Sequence, residues 1–376
     1  MTLNGLYVHI PFCIRKCPYC DFLSFPGAER GDFSHYAALA ARQMQAWRGE
    51  NLYVDTIFFG GGTPTLLGAE NLTRILDAAR ENFNVKQNAE ITLEANPGTV
   101  DFPMLRALKN AGFNRISFGV QSFCDETLRR IGRIHSASEA IDAVHMAQDA
   151  GIARVSVDLI SALPHQTLRE IEENAETAAS LGVTHVSCYD LTIAQDTPFG
   201  TLAAQGNLPL PDEDTSLLMQ QRVCEILNAA GFERYEISNY AKDGAVARHN
   251  LHYWHNDDYI GVGCGAHGRF RNMRYVQAET LAEYESDVQA GRRWHECEEM
   301  ISTFDDAAET LMLGMRLKEG VDFSALLSRL PEDEAKKWER LSQKYESLGL
   351  VTLKNGRLCP TSRGWEVQNA WLSTFL

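Results

Sequence analysis

Three cysteines stand close together in Cys13-Ile-Arg-Lys-Cys17-Pro-Tyr-Cys20, whereas the other six of the nine are scattered along the chain. Their spacing is C-x3-C-x2-C. Pro18 disfavours a regular helix through the group, so the natural geometry is a loop wrapped around a central object. Thiolates so placed want a metal or one another. A zinc site could add His9 as a fourth ligand, although an x3 spacing twice over is unusual for structural zinc. The other reading is an iron–sulfur cluster, which normally takes four cysteines; held by three, it keeps one iron open to a further ligand. Arg15 and Lys16 beside the thiols would offset cluster charge, or serve only as solvated loop charges.

Two further stretches carry chemistry. Gly60-Gly61-Gly62-Thr63-Pro64 follows the apolar run Thr56 to Phe59. Consecutive glycines let backbone approach a ligand unobstructed, and their carbonyls could accept an ammonium group, but a glycine-rich turn alone is equally a plain tight turn. His249-Asn250-Leu251-His252-Tyr253-Trp254 reads as a loop dense in imidazole and aromatic rings, which taken alone is more often ordinary packing, and Tyr259-Ile-Gly-Val-Gly-Cys264-Gly-Ala-His267-Gly follows it. Cys264 reads as a small buried apolar residue; His267 stays open.

The elements that must position these residues are legible as punctuation. Ala111-Gly112, Ala150-Gly151, Leu181-Gly182 and Ala230-Gly231 each end a helix-like stretch at a left-handed glycine cap. Strand candidates are Leu6 to Ile10, Thr56 to Phe59, Glu90 to Glu94, Ile116 to Val120, Val155 to Ile160 and Val186 to Leu191. Six strands alternating with helices predict an α/β fold with a parallel sheet and right-handed crossovers. Six units fall short of a closed eight-unit barrel, which leaves an open partial (β/α)6 barrel or a flat doubly wound sheet; in both, ligands sit at the carboxyl ends of the strands.

Beyond about residue 290 the pattern changes. Ala307 to Leu317 and Glu334 to Leu348 read as helices, and Leu350 to Leu353 and Arg357 to Pro360 flank the hairpin signal Asn355-Gly356. A last helix runs from Ser362 to the end. This predicts a winged-helix-like α+β module over 294–376, beside a barrel domain over 1–290. From Trp294 onward the tail has 10 Lys+Arg against 14 Asp+Glu, which disfavours the DNA-binding use of such a module.

The whole chain of 376 residues has 35 Lys+Arg and 50 Asp+Glu, a net charge of −15, so its field repels polyanions and nucleic acid is not an expected partner. Neither a secretory signal nor a membrane span is apparent, and a chain of this length builds a core without disulfides, so a cytoplasmic location is expected.

With these motifs on the page a resemblance can be stated. C-x3-C-x2-C, the Gly-Gly-Gly-Thr-Pro run, Glu94-Ala-Asn96-Pro97-Gly98-Thr99, Gly119-Val-Gln121-Ser122-Phe123, Gly132-Arg133-Ile-His135 and Asp158-Leu-Ile resemble, in order, the coproporphyrinogen-oxidase-like branch of radical SAM proteins. The match covers most of residues 6 to 270. It implies a 4Fe-4S cluster on Cys13, Cys17 and Cys20, with S-adenosylmethionine (SAM) chelating the open iron, where it is either held as a ligand or cleaved to a 5′-deoxyadenosyl radical. It implies that Tyr7 and Tyr19 line the cluster and that Gly61, Gly62 and Thr63 meet the methionine end. Glu94, Gln121, Arg133 and Asp158 match positions that contact SAM. Carboxylates there suit ribose hydroxyls, and a guanidinium suits the SAM carboxylate. Ser161-Ala162-Leu163-Pro164 departs from the branch, which usually has glycine before Leu-Pro.

Within the branch, the oxidase typically has a further cysteine two residues after the third, and a longer N-terminal segment. Here Phe22 holds that position. The sequence instead resembles the HemW-type haem chaperones, whose His-Asn-x-x-Tyr-Trp motif is present at 249–254. The resemblance implies haem contact by His249, Asn250, Tyr253 and Trp254, with His252 and His255 as further candidates, since imidazole ligates haem iron and aromatic rings cover the macrocycle. It implies transfer of haem to an acceptor protein, and an electron donor if SAM is cleaved. Decarboxylation of a porphyrinogen is the rival activity.

Overall fold

In the computed structural model, which describes residues 3–27, 30–297 and 300–376, six strands alternate apolar and polar side chains along their length. They are β1 (Leu3–Ile10), β2 (Tyr53–Gly61), β3 (Asn84–Ala95), β4 (Arg115–Gln121), β5 (Arg154–Ser161) and β6 (His185–Asp190). Successive strand residues face opposite ways. Leu6, Val8, Ile57, Phe59, Ile91 and Leu93 therefore share one face, in one core with residues of α1 (Arg30–Met44) and α2 (Gly68–Asn82). Ile116, Phe118, Val155, Val157 and Val186 do the same with α4 (Ala137–Asp149), α5 (Leu168–Ser180) and α6 (Glu213–Ala229), and Leu105 of α3 (Phe102–Ala111) joins them. The opposite face carries Thr56, Glu90, Thr92, Arg115, Ser117, Ser156, His185 and Ser187, all buried despite their polarity.

Strands β1 to β6 are neighbours in chain order and parallel, so every crossover moves the same way. A doubly wound sheet reverses at a switch point; this one does not, and the partial barrel is the correct alternative. The expected six strands are nevertheless too few. Tyr259–Val262 forms β7, parallel to β1 on its outer side, and short antiparallel strands extend the sheet at both edges to twelve. With four residues, Gly261 among them and Gly263 directly after, β7 is too short to show a period in sequence.

The four glycine caps are left-handed as expected, with φ of 112°, 85°, 69° and 86° at Gly112, Gly151, Gly182 and Gly231. Side-chain caps start the helices: Asp101, Ser136, Thr167 and Asp212 each accept a backbone N–H of the first turn. Ala162 takes φ 59° where the related branch has glycine, so the alanine holds a left-handed backbone at a cost of roughly 1 kcal/mol. Residues 249–254 lie within helix α7 (Arg248–Trp254) and not in a loop.

The C-terminal part has its own core of Leu311, Phe323, Trp338, Trp371 and Phe375. Helices α8 (Thr303–Gly314) and α9 (Glu332–Ser347) precede the hairpin Val351–Lys354 with Arg357–Pro360, and Asn355 and Gly356 both have positive φ. The expected last helix is broken at Val367 into α10 (Ser362–Glu366) and α11 (Gln368–Leu372). The break lets Trp365 and Gln368 both donate to the Met315 carbonyl. Among the described residues no helix is long and apolar enough to cross a membrane.

Asp306 of α8 ties this part to the barrel, accepting from Arg269 and Arg329 and from Asn256 at 3.4 Å. Removing a buried carboxylate leaves Arg269 partly uncompensated, so Asp306→Ala should lower stability by about 3 kcal/mol, read from the urea midpoint by tryptophan fluorescence.

Candidate cluster and cofactor site

β1 delivers the chain to the cysteine loop at the carboxyl end of the barrel. The loop is pinned by backbone bonds from Phe25 to Pro11, from Gly27 to Cys13 and from Cys20 to Cys17. Cys13, Cys17 and Cys20 are all half-buried. Burial pushes the Cys20 thiol up, and the proximity of Cys17 and Cys13 adds to it, as for sulfurs gathered to share a cationic group. Ile14, Arg15 and Lys16 point to solvent, and Phe22 is 63 % exposed. His9 does not join the thiols. Its Nε2 donates to the Leu23 carbonyl at 3.0 Å and its Nδ1 accepts from the Tyr7 hydroxyl at 2.8 Å. Both ring nitrogens being engaged elsewhere, the fourth ligand that a Cys3His zinc site would need is not presented.

The glycine run at the end of β2 is explained by close approach. A Cβ on Gly62 would lie 2.5 Å from the Phe12 carbonyl oxygen and 3.0 Å from Cys13 Sγ, and one on Gly61 2.7 Å from the His9 ring. Gly62 donates to the Ile10 carbonyl and Thr63 to that of Phe12, so the run and the cysteine loop are laced backbone to backbone. Thr63 Oγ1 lies 3.6 Å from Cys13 Sγ and accepts from Asn96 at 2.9 Å.

Next along the sheet, Arg133 spans the mouth of the barrel. It donates to Asn96 Oδ1 and the Gly119 carbonyl, and its Nη1 lies 3.8 Å from Cys17 Sγ. Its Nε is buried with no partner among the described residues, a donor left for something else. Glu94 accepts from the Gly61 N–H at 3.2 Å, and Asp158 accepts from Ser117 at 2.9 and 3.0 Å. Burial, reinforced by Asp158, pushes the Glu94 carboxyl up to about 8; burial also raises Asp158. Gln121 ends β4 with φ 71°, a conformation a non-glycine residue adopts at a cost, and such strain gathers at ligand sites. Tyr7 and Tyr19 are phenols that burial keeps protonated. The structure thus brings Tyr7, Tyr19, Gly61, Gly62, Thr63, Glu94, Gln121, Arg133 and Asp158 to the carboxyl ends of β1 to β5 and the loops that follow. Asn96, Ser117 and Ser187 belong with them but were missed as site residues; their signal was the polar alternation along β3, β4 and β6.

The α7 residues are divided. His249 is fully buried, its Nδ1 2.8 Å from Thr56 Oγ1 and its Nε2 2.8 Å from the Tyr253 hydroxyl. Burial holds its imidazole down at about 3, so it is neutral. Gly5 makes room for it: a Cβ there would sit 3.0 Å from the ring. Burial works to lower His252, but Asp257 and Asp55 outweigh it and lift it to about 9. Trp254 and His255 lie at the other end, against the C-terminal part, with Trp254 half-buried and His255 bonded to Glu319 at 3.0 Å. Asn250 is half-buried and Tyr253 contacts Tyr259 ring to ring.

The chain is similar to known proteins along most of its length. The model of the radical SAM superfamily matches residues 7–178, and that of the HemN C-terminal domain residues 301–367. The Heme chaperone HemW of Escherichia coli is 39 % identical over 321 residues, covering 84 % of this chain and 83 % of that one. The Heme chaperone HemW of Lactococcus lactis is 33 % identical over 377 residues, covering 99 % and 97 %. Among solved structures, the coproporphyrinogen III oxidase HemN from Escherichia coli, described as a radical SAM enzyme, superposes with a TM-score of 0.84. At 22 % identity, over 100 % of this chain and 90 % of that one, it shows a shared fold. Within the radical SAM superfamily, the chain belongs to the HemW haem chaperone family. Membership implies a 4Fe-4S cluster and SAM, and the gathered thiols and the unpartnered Arg133 Nε fit both.

Glu94 supplies a test of the buried site. Its folded value of about 8 exceeds the ordinary 4.5, so the folded protein keeps a proton that the unfolded chain releases between those values. Its contribution is present below pH 4.5 and is lost as pH rises to 8. Glu94→Gln should flatten the fall in stability over that window, measured by denaturant titration at successive pH values; an unchanged slope would place the carboxyl in a wetter setting. A second test is steric: Gly62→Ala should displace the cysteine loop and sharply reduce iron incorporation on reconstitution, measured as iron per chain.

Proposed function

We propose that the protein is a haem chaperone that binds haem and passes it to an acceptor protein, with Cys13, Cys17 and Cys20 holding a 4Fe-4S cluster and SAM seated beside it. When bound, cluster and SAM supply one-electron cleavage of a carbon–sulfur bond. The chain's own residues bind and orient. Arg133 pairs with a carboxylate through its free Nε edge. Glu94, neutral at pH 7, can donate to a ribose hydroxyl as well as accept, and Asp158, Gln121 and Thr63 offer further partners. Tyr7 and Tyr19 close the sides of the pocket against water.

Haem contact falls to the α7 segment, with Asn250, Tyr253 and Trp254 as candidates. His249 would reach an iron only by giving up its bonds to Thr56 and Tyr253, so the accessible His255 is a competing ligand. The observation that carries the chaperone reading over the oxidase is Phe22, an exposed phenyl ring where the oxidase has a thiol. Fold likeness to the oxidase does not separate the two. A reducing cytoplasm suits a loop of three half-buried free thiols, and an electron donor is needed if SAM is turned over.

The reading is tested on anaerobically reconstituted protein. Cys17→Ala should lose the iron–sulfur absorption, and the wild type should bind haem with a Soret band without converting coproporphyrinogen III in the presence of SAM and reductant. Conversion at a useful rate would make it an oxidase.

A further inference from the structure

Where the carboxyl end of α7 meets the C-terminal part, the structure holds a pocket of about 340 Å³. That is the lower end of the roughly 300–1,000 Å³ range of small-molecule sites, room for one edge of a macrocycle rather than a whole plate. Trp254 and His255 line it from the end of α7, and Val321, Ala325 and Leu326 from the C-terminal part. Gly314 of α8 lets these walls meet: a Cβ there would lie 2.3 Å from Val321 Cγ1 and 3.7 Å from the Trp254 carbonyl oxygen. Trp254 is half-buried, and its indole N–H is buried with no partner among the described residues. A donor in that state can be met by the π face of a flat ring. The charged side chains of the lining, by contrast, are engaged. His255 bonds Glu319 at 3.0 Å, Arg357 donates to the Glu319 and Gly320 carbonyls, Arg329 donates to Asp306, and Asp322 accepts from the Ala325 N–H at 2.9 Å. What the pocket offers a ligand is therefore its indole and aliphatic wall.

We infer that this pocket completes the haem site, the C-terminal part gripping the apolar, vinyl-bearing edge of the macrocycle that α7 contacts; the inference rests on the haem-chaperone reading above. A flat apolar edge loses its water against Trp254, Val321 and Leu326. The propionates, being charged, belong at the opposite edge in solvent, because the arginines here are engaged. The C-terminal part thereby takes a share in holding the cargo. Asp306 gains a second duty: by accepting from Asn256, directly after His255, and from Arg269, it keeps the two walls of the pocket in register.

The test is Soret titration of the full-length protein with haem and with deuterohaem, in which hydrogens replace the vinyl groups. The wild type should bind haem about tenfold more tightly than deuterohaem. Ala325 is exposed at the rim of the pocket, on the short helix Phe323–Leu327, so Ala325→Trp fills the pocket without entering the core. It should weaken haem binding about tenfold and erase the preference over deuterohaem. Ala325→Met, a smaller plug, serves if the tryptophan unfolds the C-terminal part. Ser328→Trp, an exposed change beside the pocket but outside its lining, should leave affinity and preference as in the wild type. Plugged variants that keep the wild-type affinity and preference, or a wild type that binds both haems equally, overturn the pocket while the chaperone reading stands. A wild type that binds no haem overturns both.

Discussion

The distance between the Gly62 backbone and the Phe12 carbonyl is the constraint on which the rest of this molecule depends. The cysteine loop leaves β1 and must fold back over the end of β2, and there is no space between them for even a methyl group. Because the contact is backbone on backbone, it sets the height of the thiols above the barrel mouth with little freedom. Thr63, Asn96 and Arg133 then carry that position sideways across three strands by side-chain bonds ending near Cys17. A loop of eight residues with a proline in it gains its order from this lacing rather than from any regularity of its own.

The second organising fact is a polar interior. Desolvation makes buried carboxyls and imidazoles costly to charge, and the barrel answers by keeping most of them neutral or paired: Glu94 and Asp158 raised, His185 and His249 lowered, Glu90 bonded to Arg154. Arg115 and Thr92, register partners on β4 and β3, each keep a buried polar atom without a partner among the described residues. A core of this kind gains less from burial than an apolar one of equal area, and the apolar face toward α1 to α6 must hold the sheet together.

Much of this was legible in the sequence because it rests on local rules. The glycine caps demand left-handed backbone wherever they stand, and the six parallel strands show as apolar runs between helices. The cysteine spacing and the Asn355-Gly356 turn are likewise short-range signals. What escaped was decided by distant partners. β7 is a strand only because β1 offers it an edge, and the Val367 break exists because Met315 can accept from two side chains at once. His249 looked like an available ligand because a motif does not reveal burial; Gly5, far away in sequence, supplies its space.

The pairing of β1 with β7 has a consequence in time. Gly5 lies against Tyr259 in the sheet, so the strand that launches the cysteine loop has its outer edge bare until residues 259–262 have been synthesised. During translation that edge is an open template for wrong pairing, and the thiols beside it are attached to a half-supported strand. Long-range parallel pairing of this kind is slow to form. The nascent chain must therefore keep three adjacent thiols reduced and unbridged through most of its own manufacture, before the fold that positions them can be completed.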